Sequence, residues 1–202
     1  MVEPLFCNIK RKSTLYRCVS DLFGVCSYFI LEQDKIIIID PGKLDDYTIE
    51  WLYGFNNLRK VVYITHEHFD HHYHANKVLS LPQTFLYIPT VSFSQALLDI
   101  RKNLSYYHNQ IVQTYSKSIT DISYLKVLKT PGHSIESYCF LYEDIVFGGD
   151  TIINTDYLVL KLPGSSKVNY KQAIKFLNQT IPLDTIVMPG HGNYFFYSNW
   201  NL

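Results

Sequence analysis

The stretch THEHFDHHYH, Thr65 to His74, holds five of the eight histidines of this 202-residue chain. It continues KVVYIT (60–65), an apolar run that reads as a buried strand and stops where the histidines begin. On an extended segment, side chains two apart point the same way. His66 and His68 can therefore grip one ion, and Asp70 and His71, after a turn, a second. The stretch is not the helical zinc motif HExxH: His66-Glu67 begins like it, but Asp70 stands where the second histidine belongs.

Three further segments share the design. TPGHS (130–134), FGGDT (147–151) and MPGHG (188–192) each place one such residue just after an apolar strand: His133, Asp150 and His191. Strand ends on one sheet edge converge, and sites collect on the loops there. Glycine beside each residue lets the backbone turn sharply. Imidazole and carboxylate are ligands for zinc and similar divalent ions. Seven such groups would be hard to desolvate without a cation.

Other residues near these segments have plainer expected roles. His108, the one histidine left over, reads as a surface residue. His72 and His74 read as exposed histidines at a helix start, Phe69 as a packing residue and Glu67 as a solvated one. Asp40, in DPG (40–42), is expected to hydrogen-bond a ligand from behind. Thr65, Thr130 and Thr151 are expected to brace the ligand loops. Tyr106, Tyr107, Tyr115 and Tyr157 lie in segments able to overhang the site.

Around these motifs the pattern predicts strands at 15–21, 25–32, 35–40, 84–88, 123–130, 137–143, 144–150 and 184–190. The second and third form a hairpin through EQDK. Helices are predicted at 45–55, 75–80, 94–104 and 169–179. Residues 105–120 show no clear period, and 92–120 is expected to form a lid or an interface. Strand meanders followed by alternating strands and helices fit an α+β, four-layer αββα sandwich spanning 1–202 as a single domain.

Bulk properties narrow the function. A chain of this length buries roughly 70% of its unfolded surface, and a 47% hydrophobic composition suits a globular protein. Eighteen basic residues balance eighteen acidic ones, which disfavours nucleic acid as the partner. Lys10-Arg11-Lys12 reads as a solvated turn. Cys7, Cys18, Cys26 and Cys139 show no CxxC spacing and are expected to be reduced and buried. MVEPLFCNIKRK lacks the features of a signal peptide, and the apolar region 25–39 is interrupted by charges. The expectation is a cytoplasmic protein with no membrane partner.

The ordered set His66-x-His68-x-Asp70-His71, His133, Asp150, His191 resembles the metallo-β-lactamase fold superfamily. With DPG, TPGHS, GGDT and PGHG it is most similar to the glyoxalase II-like (hydroxyacylglutathione hydrolase-like) branch, over about residues 26–192. The resemblance implies the αββα sandwich and two divalent ions, zinc first, with iron or manganese as alternatives. It implies His66, His68 and His133 on one metal, Asp70, His71 and His191 on the other, and Asp150 bridging. It also implies that Asp70 orients a hydroxide attacking a small-molecule acyl substrate, a thioester first and a lactone, other ester or amide second.

Departures from relatives refine that implication. The chain ends eleven residues after His191, without the helical region with which glyoxalase II enzymes bind glutathione. VLKLPG (159–164) lacks the arginine and aspartate of a segment found in many bacterial relatives and in mono-iron persulfide dioxygenases. Ile153 stands where acyl-homoserine lactonases carry tyrosine. Most β-lactamases carry cysteine where Asp150 stands, and flavodiiron proteins glutamate where His68 stands. A mono-iron dioxygenase and a non-catalytic metal-binding module remain the alternatives, and a homodimer stays open.

Overall fold

A computed structural model describes residues 1–8, 13–105, 118–119, 123–153 and 157–200. Lys10-Arg11-Lys12, Tyr106, Tyr107, His108 and Tyr115 lie outside them, as does most of the proposed 92–120 lid beyond Ser105.

The described strands form two sheets. The first contains β1 (Glu3–Asn8), β2 (Ser13–Val19), β3 (Cys26–Leu31), β4 (Lys35–Ile39), β5 (Arg59–Tyr63), β6 (Thr84–Tyr87) and β7 (Ser118–Ile119), in that spatial order. Pairing is antiparallel through β4 and parallel from β4 to β7. The second runs β12-β11-β10-β9-β8, from β8 (Lys126–Lys129), β9 (Tyr138–Tyr142), β10 (Ile145–Gly149), β11 (Ile186–Pro189) and β12 (Phe195–Phe196). Its β10–β11 pair is parallel and the other pairs are antiparallel.

The alternation of side chains across a strand assigns the layers. In β9, Tyr138, Phe140 and Tyr142 join the core shared with the first sheet, whereas Cys139 turns to the opposite face. Phe147 and Met188 face inward in the same way, and Val146 and Val187 outward. The outward set packs on Tyr170, Ile174 and Leu177 of α4 (Lys167–Thr180). In β3, Tyr28 meets Phe147 of the other sheet at 5.4 Å between ring centroids, while Phe29 meets Trp51 of α1 (Asp46–Tyr53) at 5.7 Å. Helices thus cover both outer faces, giving the expected αββα sandwich.

Local chemistry sets the helix ends. Asp45 caps α1 by accepting from Thr48 N at 2.7 Å, and Ser166 caps α4 by accepting from Asn169 N. α2 is Ala75–Leu79. The helix expected at 94–104 is instead α3, Val91–Leu98. Thr90 starts it by accepting from Phe93 N, and Asp99 ends it by turning its carboxylate onto Arg101 N. Three strands were not anticipated: β1, which contains Pro4 as an edge strand tolerates, and the two-residue β7 and β12. No described helix is long and apolar enough to cross a membrane.

Candidate metal centre

The parallel pairs bring the motifs to one edge. Asp40 follows β4, Thr65, His66 and His68 follow β5, Asp150 follows β10 and His191 follows β11. β8 runs antiparallel to β9, which runs antiparallel to β10, so the end of β8 that leads to His133 lies at the same edge. Backbone bonds tie the sheets together there: Tyr138 N donates to Thr65 O and Cys26 N to Gly190 O, while Gly190 N donates to Gly149 O within the second sheet. Gly190 is required by space. A Cβ at that position would run into Asp150 Oδ1 and the His71 ring.

All seven residues expected as ligands converge. His66, His68 and His133 form one group, His66, His71 and Asp150 a second, and Asp70, His71 and His191 a third, each with its donor atoms within 4.8 Å of one another. Asp150 lies between them: Oδ1 is 3.4 Å from His71 Nε2, and Oδ2 is 3.5 Å from His133 Nε2 and 3.6 Å from His191 Nε2. Asp70 Oδ2 is 3.8 Å from His71 Nε2 and 3.7 Å from His191 Nε2. His66, His68, His71 and His133 are buried.

Four of the rings are anchored from behind. His71 Nδ1 meets Asp40 Oδ2 at 2.9 Å, His133 Nδ1 meets Val159 O at 2.9 Å and His191 Nδ1 meets Phe23 O at 3.0 Å. Thr65 Oγ1 gives its proton to Asp40 Oδ2 and so accepts from His66 Nδ1 at 3.1 Å. These partners assign the protons to Nδ1 and turn each Nε2 lone pair toward the centre. His66 Nε2 and His133 Nε2 then both lie 3.0 Å from His68 Nδ1. Only His68 can bring a proton to this trio, and one proton satisfies one contact. His71 Nε2 and Asp150 Oδ1 are also buried without hydrogen-bond partners. Converging lone pairs without protons between them are a donor set suited to cations.

The electrostatics agree. Burial, reinforced by neighbouring imidazoles, pulls His66 and His68 well below the usual histidine pKa, so both stay neutral. Burial also lowers His133. At His71 burial acts the same way, but Asp150, Asp70 and Asp40 outweigh it and raise the pKa well above normal. Burial works against the Asp150 carboxylate, yet His71 and His133 hold its pKa far below the usual range. The middle of the cluster therefore carries negative charge that attracts either a proton or a metal.

Asp40 has the supporting place expected of it. It adopts φ 48°, a left-handed conformation that aspartate tolerates better than most residues. Its Oδ1 accepts from Thr65 N at 2.6 Å, while Oδ2 serves Thr65 Oγ1 and His71. Thr130 Oγ1 and Thr151 Oγ1 lie 3.4 Å apart beneath the ligand loops.

Three expectations need correction. Glu67 is not solvated but fully buried, with Oε2 accepting from Ser134 Oγ at 2.7 Å. His72 is buried, and its Nε2 meets Glu67 O at 2.9 Å. His74 is half-buried, and its Nδ1 accepts from Leu44 N. Sequence reasoning missed these because one side of the segment packs against loops distant in the chain, while Asp70 on the other side faces the pocket. Phe69 packs as expected, edge-on to Phe23 at 6.1 Å. Cys18, Cys26 and Cys139 are buried and free.

A pocket of about 570 Å³ opens onto the cluster. His68, Asp70, His133, Asp150 and His191 form its floor, with Phe23, Phe69, Leu104, Tyr157, Val159 and Leu162 around them. Tyr157 stacks over His191, with ring centroids 6.5 Å apart.

No family model matches the chain. A probable metallo-hydrolase of Streptococcus pyogenes is 24% identical over 88% of the chain and 83% of its own length. A probable polyketide biosynthesis zinc-dependent hydrolase of Bacillus velezensis is 26% identical over 81% of the chain and 71% of its own length. A hydroxyacylglutathione hydrolase of Tolumonas auensis is 26% identical over 81% of the chain, which spans only 60% of that enzyme. Among solved structures, a B3 metallo-β-lactamase, BLEG-1, superposes with a TM-score of 0.70 at 22% identity over 98% of the chain and 95% of its own. A protein solved in a di-iron-bound form, TTHA1623, gives 0.72 at 20% over 92% and 98%. The chain has the metallo-β-lactamase fold. Its sequence is similar to those of metallo-hydrolases and hydroxyacylglutathione hydrolases.

Proposed function

We propose that the chain is a binuclear metal-dependent hydrolase of small acyl substrates, a thioester first and a lactone or other ester second. The observation that carries this reading is the trio His66, His68 and His133, in which His66 Nε2 and His133 Nε2 each lie 3.0 Å from His68 Nδ1 with at most one proton for the two contacts, and Asp150 reaches from it to His71 and His191. In this reading His66, His68 and His133 hold one ion, Asp70, His71 and His191 hold the other, and Asp150 touches both. Zinc is the first candidate, since the donors are nitrogen and oxygen. Iron is the second, supported by the di-iron form of a protein of like fold.

Bound divalent ions would supply hydroxide at neutral pH and polarise the acyl carbonyl. The chain's own residues do the rest. Asp70 lines the pocket, where its carboxylate accepts a proton of the attacking water and turns the oxygen toward the carbonyl. Asp40 holds His71 in one orientation, and Val159 O and Phe23 O do the same for His133 and His191. Phe69 and Leu104 limit the water that reaches the floor. The water oxygen bonds to the carbonyl carbon, the carbon–sulfur or carbon–oxygen bond breaks, and the leaving thiolate or alkoxide takes up the proton that the water gave to Asp70.

The test is thiol release from a short acyl thioester by zinc-loaded protein, before and after chelation. Asp70→Ala and Asp150→Ala should keep the fold, as judged by circular dichroism, and lose turnover. Full activity in both variants would defeat the mechanism.

A further inference from the structure

We infer that the pocket selects an uncharged, apolar acyl chain rather than a carboxylated or peptide-like one; this rests on the hydrolase reading above. Every described lining residue that does not belong to the polar cluster is apolar or aromatic: Phe23, Phe69, Leu104, Tyr157, Val159 and Leu162. No lysine or arginine is among the described lining residues. The charged groups there, besides histidines, are Asp70 and Asp150, both acidic. A substrate carboxylate lying away from the cluster would be desolvated against hydrocarbon without a cationic partner, which is costly. A volume of about 570 Å³ lies within the range of pockets that enclose a whole small ligand.

Two wall residues are tied to the polar floor through their backbone carbonyls. Val159 O fixes His133, and Phe23 O fixes His191. An acyl chain entering between them brings its carbonyl down onto His133, Asp150 and His191. Each methylene that contacts this wall adds binding felt by the transition state as well as the substrate.

The test uses zinc-loaded protein and thioesters of one small thiol, N-acetylcysteamine. Straight acyl chains of two to eight carbons are compared with chains of equal length ending in a carboxylate. The expected result is a rise in kcat/KM of about fourfold per methylene, until the pocket is filled. The carboxylated partners should be at least about tenfold poorer. Leu162→Arg should flatten the chain-length series and improve the carboxylated substrates relative to the plain ones. If acetyl and octanoyl substrates are cleaved equally well, or carboxylated chains as well as plain ones, the inference is overturned while the hydrolase reading stands. If no thioester or lactone is cleaved at any chain length, both fall together.

Discussion

Asp40 shows how one residue outside the cluster can govern it. Its carboxylate receives Thr65 N, Thr65 Oγ1 and His71 Nδ1, and through Thr65 it also fixes the His66 ring. Asp40→Ala should weaken zinc binding and kcat/KM by about 10–100-fold, measured by competition with a chromophoric chelator and by steady-state kinetics. Unchanged affinity would mean that Asp40 serves only the backbone turn. Glu67 makes a similar case from the other side, because its bond to Ser134 holds the residue next to His133. Glu67→Ala should loosen metal binding, and Glu67→Gln, whose amide oxygen can still accept, should restore most of it. The convergence of the seven candidate ligands was legible in the sequence because each sits beside a glycine or in the histidine cluster, just beyond an apolar run. The burial of Glu67, His72 and His74 was not, because Ser134 and Leu44, distant in the chain, meet Glu67 and His74, and a tight turn carries His72 onto Glu67 O.

At the scale of elements, the site depends on loops pressed closely against other elements. Gly132, beside His133, lies against α4: a Cβ there would come within 2.5 Å of Tyr170 Cα. Gly132→Ala should cost about 1–3 kcal/mol in urea unfolding and also lower metal affinity, since the displaced loop carries His133. Loss of stability with unchanged affinity would separate the loop's packing from the site. The strands leading to the site were legible as apolar runs ended by glycine, proline or aspartate. α3 was displaced because side-chain caps at Thr90 and Asp99 decide its ends, and these outrank apolar spacing. β1, β7 and β12 are edge strands paired on one side only, and β7 and β12, at two residues each, are too short to show a period.

Across the whole molecule, the layers are held by residues such as Phe147, fully buried between the sheets against Tyr28. Phe147→Ala should destabilise the fold by about 3–5 kcal/mol, read from denaturant unfolding. The outer layer has a pH signature. Burial pushes the Cys139 thiol up to about 12, against roughly 8.5 in an unfolded chain. Its contribution to stability is full below the unfolded value and is lost as pH rises toward the folded one. Cys139→Ala should therefore reduce the alkaline loss of stability between about pH 9 and 11, and in the native protein Cys139 should resist alkylation at pH 8. The αββα class was legible from the order of strands and helices. Which face of each strand meets the other sheet was not, because β9, β10 and β11 are buried on both sides and show no polar alternation.

Seven residues from four segments are proposed to hold two divalent ions around Asp150. Native mass spectrometry of the zinc-reconstituted protein, beside Asp150→Ala, tests this most directly. The account predicts two ions per chain in the native protein and fewer in the variant. A native protein that takes up no metal, or an Asp150→Ala variant that binds as many ions as tightly, would contradict it.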